Sequence, residues 1–169
     1  IRDLSITEIM PLDNITFEMS SSFGAKCANV ATMRSFNLPD GTIPDGFGVP
    51  FFYYDEFMQF NNFYEEAQVM IDNPTFQTDL NFRIDRLNAF RRDIENAPMP
   101  QWMLDDLQAM HDGFPEGTAV RSRSSTNNED LPGFSGAGLY DSKTHRPDEG
   151  HISKTIKQVY ASMWNFRAY

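Results

Sequence analysis

Two arginines one residue apart, followed by a run of hydroxyls, amides and glycines, are the residues of this chain best suited to do chemistry. They lie in Ala119-Val120-Arg121-Ser122-Arg123-Ser124-Ser125-Thr126-Asn127-Asn128-Glu129-Asp130-Leu131-Pro132-Gly133-Phe134-Ser135-Gly136-Ala137-Gly138. In an extended segment side chains alternate, so Arg121 and Arg123 share one face about 7 Å apart, while Val120 and Ser122 face the other way. Guanidiniums at that spacing can grip different phosphates of one polyphosphate chain, each through a planar fork of donors. Small residues at Ser135, Gly136, Ala137 and Gly138 let backbone N–H groups approach an anion unobstructed. Glu129 and Asp130 have two readings: they orient the arginines or approach a metal, or, as an acidic pair ahead of Leu131-Pro132, they cap a turn. Ser124, Ser125 and Thr126 have no histidine near them in sequence and no nucleophile elbow, so backbone capping is their expected use.

The elements that must position these residues can be read from periodicity and punctuation. Residues 118–122 form the arginine strand, and 138–141 its expected partner. Gly24 precedes a helix over 25–36 that carries Ala28, Ala31, Met33 and Phe36, and the glycine frees that helix N-terminus to face a ligand. A proline- and glycine-punctuated stretch over 43–51 supplies a short strand, and a helix over 53–70 ends before Asn73-Pro74. Leu80, Ile84, Leu87, Phe90 and Ile94 recur at helical steps, which predicts an apolar stripe facing a core. A helix over 102–110 turns Met103, Leu107 and Met110 inward. A last helix over 149–168 uses Ile152, Ile156, Val159, Met163 and Phe166. Residues 1–22 read as a lead-in segment, and there is no internal repeat.

Composition narrows the classes of function. A chain of 169 residues with 40% hydrophobic content can close one domain core. Fourteen basic against 24 acidic residues give a net charge of −10, which argues against nucleic acid or an anionic membrane as the main partner. Any bound anion must be held by local chemistry. Cys27 is the single cysteine, so an internal disulfide and a cysteine-rich zinc site are excluded and a reducing, cytoplasmic setting is the expectation. No apolar stretch approaches the ~18 residues of a membrane span, and the first residue, Ile1, suggests a piece of a longer chain. His111, His145 and His151 lack metal-ligand spacing and read as isolated surface residues.

The run Arg123-Ser124-Ser125-Thr126-Asn127-Asn128-Glu129-Asp130-Leu131-Pro132 resembles the R-S-S-A-x-x-E-D-L-P signature of the nucleotide-binding domain shared by phosphoenolpyruvate synthases and pyruvate phosphate dikinases. Phe134-Ser135-Gly136-Ala137-Gly138 follows as the counterpart of their S-F-A-G segment. Upstream, Phe23-Gly24-Ala25-Lys26-Cys27-Ala28-Asn29-Val30 is similar to the family's G-G-K-G-A-N-L, and residues 38–49 to its G-L-P-V-P-P-G-F run. Residues 158–168 resemble its W-A-S-L-F-x-x-R-A helix more weakly. The resemblance covers about residues 20–169, leaving 61–110 without a match.

The resemblance implies an α+β fold: a partial ATP-grasp-like nucleotide-binding domain with a small, mostly antiparallel sheet and several packed helices, residues 23–169 being its N-terminal part. It implies ATP and Mg2+ as ligands, and as partners the remaining half of the ATP-grasp domain and a phosphohistidine domain elsewhere in a longer chain. Lys26 stands where the family has the lysine that reaches ATP phosphates, although a lysine in a first helical turn is ordinarily just solvated. Arg123 aligns with the nucleotide-phosphate arginine; Arg121 lies outside the signature, and the alternative for it is an ion pair with Glu129 or Asp130. Gly136 and Gly138 complete the phosphate-binding set, with Glu129 and Asp130 as metal-binding or orienting candidates. No catalytic residue is assigned, and the magnesium ligands and adenine strand are expected beyond residue 169. Cys27 departs from the family's glycine, either crowding the phosphate approach or adding a small buried side chain. The activity implied is transfer of a phosphoryl group from ATP to a histidine on another domain. A glucan dikinase-like enzyme or a degenerate, non-catalytic scaffold of the same fold are the alternatives.

Overall fold

The computed structural model of the protein describes residues 2–127 and 141–165. Gly136, Gly138, Glu129 and Asp130 lie outside the described residues, as does most of the expected 138–141 strand. The described residues form an α+β structure with two separate two-stranded antiparallel sheets rather than one. β1 (Met10–Pro11) pairs with β2 (Phe47–Gly48), and β3 (Val120–Arg123) pairs with β4 (Ser142–His145). The partner of the arginine strand therefore begins after Asp141, later than the sequence suggests.

The larger core is helical. α6 (Leu80–Asn96) lies against α8 (Ser153–Ser162), with Leu87, Phe90 and Ile94 meeting Ile152, Ile156 and Trp164 in one buried cluster. Phe90 sits edge-to-face on Trp164 at 4.9 Å and on Phe63 at 5.5 Å, the geometry favoured by the ring quadrupole. α7 (Gln101–Asp112) buries Met103, Leu107 and Met110 as its periodicity requires. Leu80, expected inward, is 54% exposed because it is the first residue of α6, ahead of the turns that touch the core.

Three helix boundaries differ from the sequence reading for identifiable reasons. The expected helix over 53–70 is two, α3 (Phe51–Phe60) and α4 (Phe63–Asp72), because Asn62 adopts a left-handed conformation with φ 55° and interrupts the ladder. Asparagine tolerates that region better than most residues. Asn61 holds the break by donating to the carbonyls of Phe57 and Pro98, both at 3.0 Å. Asn73-Pro74, read as a stop, is also a start: the Asn73 side chain accepts from Thr75 N at 2.8 Å and Pro74 opens α5 (Pro74–Thr78). The last helix likewise begins at Ser153 rather than 149, after a turn in which Glu149 Oε2 accepts from Arg146 N at 2.7 Å.

Residues 2–22 are integrated into the fold. Leu12 and Ile15 join Phe23 and Ala31 in a second buried cluster, with Cys27 and Val30 packed against it. Gly48 is needed where that cluster meets β2, since a Cβ there would lie 2.8 Å from Phe23 and 2.9 Å from the Cys27 sulfur. The buried Asp55 carboxylate accepts from Arg2 and from the Tyr64 hydroxyl, each at 2.8 Å, and from Gln59 at 2.5 Å, tying the start of the chain to α3 and α4. Among the described residues no helix is long and apolar enough to cross a membrane.

Candidate phosphate site

The arginine strand obeys strand alternation. Val120 is buried, Arg121 and Arg123 are exposed, and in the ladder Arg121 stands opposite Thr144, Arg123 opposite Ser142 and Val120 opposite His145. Directly opposed residues share a face, so both guanidiniums rise from the polar face of the ladder. Arg121 donates to the Thr144 hydroxyl at 2.8 Å. The strand starts at Val120 rather than 118 because Gly117, at φ 75°, is still in the preceding turn, where Thr118 N donates to Pro115 O.

The Lys26 helix, α2 (Ala25–Arg34), meets the end of this strand. Gly24 ends α1 (Ser20–Phe23) and opens α2 at φ 84°, a conformation that suits glycine, and α2 has no side-chain cap of its own. Its first turn is closed from elsewhere in the chain. The Ser125 hydroxyl accepts from Cys27 N at 2.8 Å, and the Thr126 carbonyl accepts from Ala25 N at 3.3 Å. A side chain at Gly24 would collide with the carbonyl and hydroxyl of Ser125. The expectation of an open helix N-terminus is thus modified: the amides of Ala25 and Cys27 are occupied by Ser125 and Thr126, while the Lys26 side chain is exposed. Backbone capping, the use expected of the serine and threonine run, is what Ser125 does.

Cys27 is half-buried, and burial pushes its thiol up to about 11, so it is a packed thiol rather than a nucleophile. It contributes to the second core, which is the second of the two possibilities its replacement of glycine left open. The Thr126 hydroxyl oxygen is buried without a hydrogen-bond partner among the described residues.

The three histidines are not isolated surface residues. His145 is fully buried, its Nε2–H facing the Gly150 carbonyl at 2.9 Å and its Nδ1 hydrogen-bonded with the Thr155 hydroxyl at 2.8 Å. A carbonyl can only accept, so Nε2 carries a proton. The His111 ring packs edge-on against it at 5.4 Å. His151 Nδ1 accepts from Ser153 N at 3.1 Å, capping α8, and its Nε2–H donates to Leu104 O. Antiparallel pairing and two turns bring together residues that are 34 or more positions apart from His111 to His145 and His151, a proximity that spacing along the chain does not signal.

Arg34 was also not singled out in the sequence. It holds Asp13 at 2.6 Å and 3.1 Å, Asp45 at 2.6 Å, and the carbonyls of Ile43 and Pro44. An open hollow of about 270 Å3 lies beside it, lined by residues including Met33, Phe36, Leu38 and Pro39. That hollow is at the C-terminal end of α2, away from the Lys26 end. Among the described residues no group of three or more His, Cys, Asp or Glu side chains is gathered to hold a metal ion.

A lysine-bearing helix start is thus docked at the end of a paired-arginine ladder, in an α+β frame. The family described as "Pyruvate phosphate dikinase, AMP/ATP-binding domain" matches residues 20–169, and the chain belongs to that family. It is similar to the probable phosphoenolpyruvate synthase of Staphylothermus marinus, with 26% identity over 170 residues covering 95% of this chain and 20% of the relative. The chain thus spans about a fifth of the length of the relative it matches.

Proposed function

We propose that this chain is the first portion of the ATP-grasp domain of a longer phosphotransferase, of phosphoenolpyruvate synthase or pyruvate phosphate dikinase type. That protein passes a phosphoryl group from ATP to a histidine on another of its domains. Lys26 and Arg123 grip the ATP phosphates, Arg121 assists, and the glycines at 136 and 138 complete the cradle. The observation that carries this reading is the pair of bonds from Ser125 and Thr126 to the first turn of α2, which puts the Lys26 helix beside the strand bearing Arg123. Family membership and the much greater length of the relative support the multidomain parent.

The chemistry asked of these residues is charge neutralisation and positioning. In a chain of net charge −10, a polyphosphate needs cations concentrated locally, and an ammonium on a flexible stem complements the planar forks of the arginines. Magnesium ligands are not assigned to the described residues. Glu129 and Asp130 keep their proposed role as orienting or metal-binding groups. The acceptor of the phosphoryl group is a histidine nitrogen on another domain of the longer protein, while His145 and His151 have both ring nitrogens engaged in holding β4 and α8.

Incubating the full natural protein with ATP labelled in its transferable phosphates and magnesium, then separating the denatured protein, tests the reading. It expects an acid-labile, base-stable label, as on phosphohistidine. Recovery of unlabelled protein under conditions where ATP is bound would contradict it.

A further inference from the structure

We propose that Ser125 is a positioning residue for nucleotide binding: its hydroxyl, delivered from the end of the arginine strand, locks the Lys26 helix and the Arg123 strand into one unit. The proposal rests on the phosphate-site reading above. A helix normally finds the acceptor for its third amide in the side chain of its own capping residue. α2 cannot, because its capping position is Gly24. Ser125, 98 residues further along, takes that role with its hydroxyl 2.8 Å from Cys27 N.

The arrangement does more than satisfy one amide. The bond from Ala25 N to Thr126 O lies on one side of Lys26 in sequence and the bond from Cys27 N to Ser125 Oγ on the other. Two anchors straddling one residue fix both the distance of the helix from the loop and its rotation about its own axis, and so the direction in which the Lys26 side chain leaves. Gly24 allows the close approach, since any Cβ would strike Ser125. On the other side, Arg123 is two residues before Ser125 and is held in the ladder opposite Ser142. Two extended residues span at most about 7 Å, so the hydroxyl that anchors the helix is tethered closely to the second cation.

The amides of Ala25 and Cys27 are already bonded within the chain, so the approaching anion meets the Lys26 ammonium and the arginine forks rather than a bare helix terminus. Ser125 does not touch the nucleotide; it sets the relation between two groups that do. Its removal should weaken binding through Lys26, not independently of it.

The test is a double-mutant cycle on magnesium-ATP affinity in the full natural protein, by calorimetry at matched salt. The variants are Ser125→Ala, Ser125→Thr, Lys26→Ala and the Ser125→Ala/Lys26→Ala pair. Ser125→Ala is expected to weaken binding about tenfold, because the unanchored first turn of α2 no longer fixes where the Lys26 ammonium points. Ser125→Thr, which keeps the hydroxyl, should restore most of that affinity, and Ser125→Ala should add little once Lys26 is gone. Deuterium uptake by the peptide containing Cys27 should rise in Ser125→Ala without nucleotide, and nucleotide should not raise it in the wild type. Losses that add fully in the pair, or Ser125→Ala binding as tightly as wild type, would overturn the positioning role while leaving the phosphate site intact. Lys26→Ala binding as tightly as wild type would instead overturn the phosphate-site reading, and the proposal with it.

Discussion

At the scale of single residues, the neighbourhood of the signature run contains several polar groups that serve the fold. Arg121 spends a donor on Thr144, whereas Ser125 and Thr126 contribute backbone capping. Thr126 stands where the family signature has alanine, and its buried hydroxyl oxygen has no partner among the described residues. A buried, unsatisfied hydroxyl costs about 1–3 kcal/mol. Thr126→Val, which keeps the shape and removes the hydroxyl, is therefore expected to leave stability unchanged or raise it by ~1 kcal/mol, measured by denaturant unfolding. A loss of stability greater than that would mean the hydroxyl is hydrogen-bonded in solution. Motif order picks out Arg123 and Lys26 in the sequence, and the structure brings the helix bearing Lys26 in its first turn to the end of the Arg123 strand. Ser125 was recognised as a capping residue, but the helix it caps was not, because a contact across 98 residues leaves no local pattern.

At the scale of elements, periodicity located the helices that bury a stripe, and failed where polar residues set the boundaries. α6 and α7 follow their apolar spacing, while the α3–α4 break and the start of α5 are decided by Asn62 and Asn73, whose side chains and left-handed tolerance act locally. The junction of α7, β4 and α8 was misread because its histidines converge only after folding. His111 packs on His145, and burial, with repulsion from His145 and His151 partly offset by Asp112, holds its imidazole below the usual value of 6.5. A depressed histidine binds fewer protons in the folded than in the unfolded state, so its contribution to stability is fully present above 6.5 and is lost as pH falls through the folded value. The carboxylates of Asp3, Asp13, Glu18 and Glu149, all held low by hydrogen bonds, act in a separate window below their ordinary values of 3.8 to 4.5. The denaturation midpoint is thus expected to decline in two stages on acidification, and His111→Phe should flatten the upper stage. An unchanged upper stage in that variant would contradict this account of the junction.

At the scale of the whole molecule, the chain has a closed helical core yet spans about a fifth of its relative. The reading of an incomplete site predicts that residues 1–169 alone fold cooperatively and bind magnesium-ATP only weakly, without turnover; micromolar affinity or steady hydrolysis by this chain would require a complete site within it. The proposed function stands or falls with a joint grip of Lys26 and Arg123 on the ATP phosphates. Charge-assisted hydrogen bonds contribute about 1.5–3 kcal/mol, which corresponds to roughly tenfold to a hundredfold in affinity. The most direct test is calorimetric titration of the full natural protein with magnesium-ATP at fixed salt, comparing wild type with Lys26→Ala, Arg123→Ala and Arg121→Ala. The account predicts losses of about tenfold or more for the first two and a smaller loss for Arg121→Ala, whose guanidinium is partly engaged by Thr144. Equal affinities for wild type, Lys26→Ala and Arg123→Ala would contradict it.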